Sequence, residues 1–171
     1  MNKSLETMLC HLKDFAPFKE PTNSSHFPIY NTATFDLKNQ NGDKIYDYTR
    51  SDNPTRATLE NLFAYAENGA GAVCTHTGIA SVNLLFETVL KANSSILVEA
   101  DCYGGTFRLL KVFKEKYNIN VNFTDFTDLN MVEHILKTNN IDLVLCESPT
   151  NPGLKIIDLK EISKLCKAHN S

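Results

Sequence analysis

From Thr55 to the last residue, short apolar runs alternate with longer amphipathic ones, and this alternation restricts the fold more than any other property of the chain. AVCT (72–75), SILVEA (95–100), INVNF (119–123) and IDLVLCE (141–147) are too short for core helices and rich in branched residues, so each predicts a strand. Between them lie ATLENLFAYAEN (57–68), IASVNLLFETVLK (79–91), TFRLLKVFKEKY (106–117), DLNMVEHILKT (128–138) and LKEISKLCKAH (159–169), each with apolar residues at helical spacing. In the first helix Leu59, Leu62, Phe63 and Ala66 share a face and Gly69 marks the stop; Thr127 and Asp158 stand where caps of the last two are expected. Continuously apolar strands separated by helices imply a parallel sheet covered on both faces, hence the α/β class.

Residues 1–53 differ. Pro17, Pro21 and Pro28 interrupt them and KNQNGDK (38–44) reads as a loop, so this part resembles an arm more than a core. At its end, Asn53 suits a helix cap and Pro54 the first helical position. The rest of YDYTRSDNPTR (46–56), with Tyr48 and Arg50, exceeds what helix initiation needs. With 171 residues, 42% of them hydrophobic, one domain with a core is expected. The 17 basic against 20 acidic groups and the absence of a long basic run argue against nucleic acid and membrane surfaces as partners. The first residues carry Glu6 and Asp14 and no apolar stretch of signal-peptide length, which reads as cytoplasmic. Five cysteines without a C-x-x-C pair read as reduced thiols, and five histidines without ligand spacing predict no metal.

Parallel α/β sheets bind ligands at the carboxyl ends of their strands, so the loops there are the places to seek chemistry. In THTGIA (75–80) the backbone N–H groups of Gly78 and Ile79 open a helix and form a natural anion site. DCYGGT (101–106) presents Tyr103 on a Gly-Gly loop, and SPTNP (148–152) holds Asn151 between prolines. Each has an ordinary reading: a plain strand-to-helix connection, a half-buried packing tyrosine, a turn-forming asparagine. Glu147, at a strand end, is more often solvated than catalytic. Nucleotide fingerprints fail, because GAGAV (69–73) precedes its strand and lacks the third glycine.

In order, PIYNTATF (28–35), YDYTRSDNPTR (46–56), THTGIAS (75–81), DCYGGTFR (101–108) and ESPTNP (147–152) resemble the signature segments of the pyridoxal-phosphate-dependent trans-sulfuration enzymes of cysteine and methionine metabolism. Within that family GAGAVCTHTG and DCYGGTFRLL are most similar to the cystathionine γ-synthases, with the β-lyases and the γ-lyases, including methionine γ-lyases, as close rivals. The resemblance implies a fold type I, aspartate aminotransferase-like large domain with a parallel-rich sheet. In it, 1–53 is an arm serving a neighbouring subunit's site and 54–171 an incomplete cofactor-binding domain. It implies that Gly78 and Ile79, the latter in a position usually held by methionine, bind the phosphate of pyridoxal 5'-phosphate (PLP) through their N–H groups. Tyr103 would stack on the pyridine ring as the catalytic candidate, Asn151 would lie near ring and substrate carboxylate, and Arg108 would meet that carboxylate. Tyr48 and Arg50 match a Y-x-R that reaches the phosphate in the neighbouring subunit, with Asp52 adding negative charge where glycine is common.

The reaction implied is replacement of the acyl group of an O-acylhomoserine by cysteine to give cystathionine, in a homotetramer. The family's cofactor-carrying lysine and the carboxylate that protonates the pyridine lie beyond the SPTNP segment. Lys155, Lys160, Lys164 and Lys167 match no family lysine, so the chain is expected to be an N-terminal fragment, inactive alone. Two readings of other classes stand beside it: a nucleotide-dependent enzyme on a similar sheet, and a non-catalytic interaction fragment.

Overall fold

The run SILVE, buried at all five positions, becomes the central strand of a three-stranded parallel sheet. The computed structural model describes residues 4–19, 21–36 and 46–171, so the loop read at 38–44 lies outside the described residues. In chain order the elements are α1 (Leu5–Leu9), a 3-10 turn (Leu12–Phe15), α2 (Pro54–Ala66), α3 (Gly78–Val89), β1 (Ser95–Glu99), α4 (Gly104–Tyr117), β2 (Asn120–Thr124), α5 (Leu129–Thr138), β3 (Leu143–Leu145) and α6 (Leu159–His169). They fall into two units, Met1–Thr75 and His76–Ser171.

In the second unit the strand order is β2-β1-β3, with Ile96 opposite Val121 and Leu143, and Val98 opposite Phe123 and Leu145. Alternate residues of β1 point to opposite faces. Ile96 and Val98 join Phe86 of α3 and Leu110 and Phe113 of α4 on one side. Leu97 joins Phe126, Val132 and Leu136 of α5, and Ile162 of α6 on the other. Each such side chain contributes about 2 kcal/mol by leaving water, which is why the interior of the central strand, Ile96 to Val98, is apolar and its polar residues, Ser95 and Glu99, stand at its two ends.

Several expectations are corrected. AVCT forms no strand: Val73 is exposed and the Cys74 N–H is donated to Glu60 Oε1 at 2.9 Å, because among the described residues no neighbouring strand offers a ladder acceptor. The cap of α5 is Asp128, which accepts from the Met131 N–H at 3.1 Å, since the Thr127 hydroxyl is donated to Asp125. In α2 only Leu62 of the four apolar residues is buried, while Leu59 and Phe63 stay exposed. That helix ends at Ala66, with left-handed Asn68 ahead of Gly69, whose N–H closes on the Ala64 carbonyl. The strand expected over 141–147 is paired only at Leu143–Leu145.

The caps at Asn53 and Asp158 form as expected. Asn53 accepts from the Thr55 N–H at 2.8 Å, and its amide donates to the Tyr30 carbonyl and Thr49 Oγ1, both at 3.0 Å. One side chain therefore starts α2 and fastens the preceding segment to it.

Candidate functional site

Helix α3 begins where an extended Thr77 turns into a twelve-residue helix. The first N–H groups of a helix have no partner within it. Thr77 Oγ1 accepts from Ala80 at 3.1 Å and the Thr77 carbonyl from Ser81 at 3.2 Å; among the described residues nothing accepts from Gly78 or Ile79. A Cβ built on Gly78 meets no atom within 4 Å. Two adjacent donors at the positive end of a helix dipole, with open space beside Gly78, suit an anion of phosphate size.

Beside this helix start, Ile79, Tyr103, Gly105, Arg108, Leu109 and Val112 line an open cleft of about 340 Å³. Tyr103 sits at the cap position of α4, where the Glu147 carboxylate accepts its N–H at 3.0 Å. Its ring is 47% exposed and lies so close over Gly105 that any Cβ there would collide with it. Glycine at 105 thus makes room for the ring against the start of the helix. Arg108 is exposed on the first turn of α4. Asn151, also exposed, lies on the loop after β3 and does not line the cleft. The structure therefore brings together Ile79, Tyr103 and Arg108 and leaves Asn151 outside that group.

That loop is tied to the sheet by a set of charges that sequence reasoning missed. Glu99, fully buried, accepts from the Asp101 N–H at 2.9 Å, the Phe126 N–H at 2.6 Å and Lys155 Nζ at 3.4 Å. Lys155 also pairs with Asp125 at 2.8 Å. Hydrogen bonds from Lys155 and then Thr127 hold the Asp125 carboxyl down to about 2, and the same contact with Asp125 raises the Lys155 ammonium. Asp101 accepts from Thr150 Oγ1 and from the Gly153 N–H. A signal was present: a glutamate directly after the apolar run Ile96 to Val98 must find partners if it is buried. Burial likewise raises the thiols of Cys102 and Cys146, which makes them poor nucleophiles.

In the first unit, Tyr48 and Arg50 sit on a turn held by an antiparallel bridge from Tyr48 to Thr34 and by the bonds Phe35 N–H to Asp47 O and Thr49 N–H to Ala33 O, both 2.9 Å. The Arg50 guanidinium lies 5.1 Å from the centre of the Tyr48 ring. Arg56, which had no evident role, grips the turn by donating to the carbonyls of Thr49 and Ser51 at 3.1 and 2.8 Å. Asp52 faces Arg56 at 3.4 Å and accepts the Asn53 N–H at 2.7 Å, so its charge is partnered within the turn.

The Cys/Met metabolism PLP-dependent enzyme family model matches residues 6–171. The chain is 36% identical over 150 residues to a cystathionine beta-lyase of Lactococcus lactis subsp. cremoris, covering 88% of this chain and 39% of that protein. It is 39% identical over 146 residues to an L-methionine gamma-lyase of Fusobacterium nucleatum subsp. polymorphum, covering 81% and 37%. Among solved structures it matches a cystathionine gamma synthase from Xanthomonas oryzae pv. oryzae in complex with cystathionine, with TM-score 0.87, 30% identity and coverage of 100% of this chain and 43% of that one. A cystathionine gamma-lyase from Lactobacillus plantarum complexed with L-serine matches with TM-score 0.83 and 33% identity, covering 98% and 43%. The chain thus spans about two fifths of the length of these relatives. Among the described residues no helix is long and apolar enough to cross a membrane.

Proposed function

Because this chain belongs to the Cys/Met metabolism PLP-dependent enzyme family, we propose that it serves γ-replacement on an O-acylhomoserine by cysteine, giving cystathionine. The observation that carries the reading is the pair of unpartnered N–H groups of Gly78 and Ile79 at the start of α3, with Ile79 lining the same cleft as Tyr103 and Arg108. These residues fit PLP: the helix start takes the phosphate, the open space before Gly78 admits it, and the tyrosine ring covers the pyridine. When bound, PLP withdraws the negative charge that builds on the substrate carbons as the γ-substituent is exchanged.

The chain's own residues bind and orient. Gly78 and Ile79 hold the phosphate by backbone donation, and Tyr103 fixes the plane of the ring. Asn151, outside the cleft lined by Tyr103, is assigned to the ring and the substrate carboxylate from its place on the loop after β3, and Arg108 receives that carboxylate with its planar fork. The segment 1–53 acts as an arm in a homotetramer, carrying Tyr48 and Arg50 to the phosphate of a neighbouring subunit. None of Lys160, Lys164 and Lys167, exposed on α6, nor Lys155, engaged by Asp125 and Glu99, is assigned as the lysine that carries the cofactor.

A second reading, elimination from cystathionine or methionine by a β- or γ-lyase, is favoured by the identities of 36% and 39% to such enzymes. The native polypeptide carrying these residues, isolated from its own cells with PLP, separates the two. Cystathionine formed from O-acylhomoserine and cysteine supports γ-replacement, and a keto acid and ammonia released from cystathionine or methionine support elimination. A polypeptide that retains no PLP and turns over none of these substrates removes both.

A further inference from the structure

We propose that Asp101 is the positioning residue for Asn151, clamping the loop after β3 so that this asparagine is presented at the carboxyl edge of the sheet. The inference rests on the assignment of Asn151 to the cofactor and substrate side made above. The carboxylate oxygen Oδ2 of Asp101 accepts from Thr150 Oγ1, one residue before Asn151, and from the Gly153 N–H, two residues after it, the latter at 2.8 Å. Both contacts are made by one atom of one side chain, so the loop is held on either side of Asn151 at a single point.

The remainder of the loop is closed on itself. Thr150, 1% exposed, accepts the Lys155 N–H on its hydroxyl at 2.8 Å and the Leu154 N–H on its carbonyl at 3.1 Å, and donates its own N–H to the Lys155 carbonyl at 3.0 Å. These bonds fix the shape of the loop locally, so what it is fastened to decides where it places Asn151. Asp101 is itself fixed, since its N–H is donated to buried Glu99 at the end of β1. Two residues further on, Tyr103 donates its N–H to Glu147 at the end of β3. The strand ends carrying the ring-stacking candidate and the asparagine are therefore laced together in both directions.

The space around Gly153 shows how close this contact is. A Cβ added at Gly153 would overlap the Asp101 carboxylate itself, far inside contact distance, so the approach of loop to carboxylate is available only to glycine. Asn151, by contrast, is exposed, so the clamp grips its neighbours, through the Thr150 hydroxyl and the Gly153 N–H, and not the asparagine side chain. Charge-assisted bonds of this kind are about twice as strong as neutral ones, which gives one carboxylate enough hold on an exposed loop.

The test uses the native polypeptide carrying these residues, its Asp101→Ala, Asp101→Asn and Gly153→Ala variants, and two readouts. In hydrogen–deuterium exchange without cofactor, Asp101→Ala and Gly153→Ala are expected to speed the amides of Gly153, Leu154 and Lys155 by about tenfold or more, with Leu97 and Val98 unchanged. Asp101→Asn, which keeps an acceptor oxygen in place, is expected to stay within about threefold of the native rate. In turnover, Asp101→Ala is expected to raise the KM for the amino-acid substrate about tenfold with PLP retention, read by its fluorescence, nearly unchanged. Loop amides within about threefold of native in Asp101→Ala, equal acceleration of loop and strand, or failure of Asp101→Asn to restore the native rate would each overturn the clamp. If Asp101→Ala does not fold, Gly153→Ala and Asp101→Asn decide by the same exchange measurement. A native protein that retains no PLP defeats the functional reading of Asn151 and leaves the exchange data to judge the clamp.

Discussion

The junction entering α3 and the loop between β3 and α6 are both turns that lead into a helix, yet they treat their polar groups in opposite ways. In the loop over 148–158 a run of donors is taken up by the protein itself: Thr150 by Lys155, Gly153 by Asp101, Leu154 and Lys155 by Thr150, and Ile157 by Ser148. At the start of α3, Thr77 caps Ala80 while Gly78 and Ile79 keep their donors open. A filled junction spends its hydrogen bonds on fixing its own shape, and an open one leaves them for something that is not protein. Substitutions in the first should therefore cost stability without ligand, and substitutions in the second should cost ligand without stability.

The largest expected effect tests the filled side. Glu99→Ala removes a fully buried carboxylate and leaves the Phe126 N–H, also buried, without its acceptor. It also frees the Asp101 N–H and releases Lys155 from one of its two partners. Loss of about 3 kcal/mol is expected, read from urea unfolding in the absence of PLP. A loss under about 1 kcal/mol would mean that these bonds do not hold the loop, and the contrast with α3 would collapse.

Next in size is the open side. Gly78 is the first residue of α3, the position where proline is favoured, and Thr77 before it is extended at φ −151° and ψ 155°, as a residue preceding proline prefers. Gly78→Pro deletes one of the two free donors while respecting the helix. Unfolding free energy within about 0.5 kcal/mol of native is expected without ligand. PLP affinity, measured by fluorescence titration of the native polypeptide carrying the substitution, should fall about tenfold or more. Unaltered affinity would show that the donor is not used, and a large stability loss would show that the junction was not open.

These two positions also mark how far the sequence could be read. Gly78 and Ile79 were legible because capping is local: a Thr-Gly step ahead of an apolar-periodic run specifies both the helix start and its unused donors. The burial of SILVE was legible because a strand covered on both faces has a continuously apolar centre, here Ile96 to Val98. Glu99 and Asp101 were not, because their partners Phe126, Lys155, Thr150 and Gly153 lie 27 to 56 positions away and no periodicity links them. AVCT misled for a related reason, since apolar branched residues make a strand only where another strand accepts their hydrogen bonds. The Thr127 cap failed by one position because two capping residues stood side by side and Asp125 engaged the first. Among the site candidates, Tyr103 and Arg108 reached the cleft because they stand only five positions apart at the start of one helix, whereas Asn151 depends on a distant carboxylate.

The smallest effect separates the two junctions by pH. Asp125 is held down to about 2 from an ordinary 3.8, first by its hydrogen bond to Lys155 and then by those from Thr127. A carboxyl lowered in the folded state stabilises fully above its ordinary value, and that contribution is lost as pH falls from near 3.8 through about 2. Lys155, raised by the same contact, contributes below the usual lysine range and loses its share as pH climbs through its raised value. Following the side-chain carbon of Asp125 by NMR should give a midpoint near 2, and Lys155→Met should move that midpoint upward toward 3.8. Acid should accordingly loosen the amides of the loop over 148–157 before those of the first turn of α3, which contains no acidic residue. An Asp125 midpoint that ignores Lys155→Met would remove the ion pair from the set of contacts that fill this junction, leaving Glu99 and Asp101 to hold it alone.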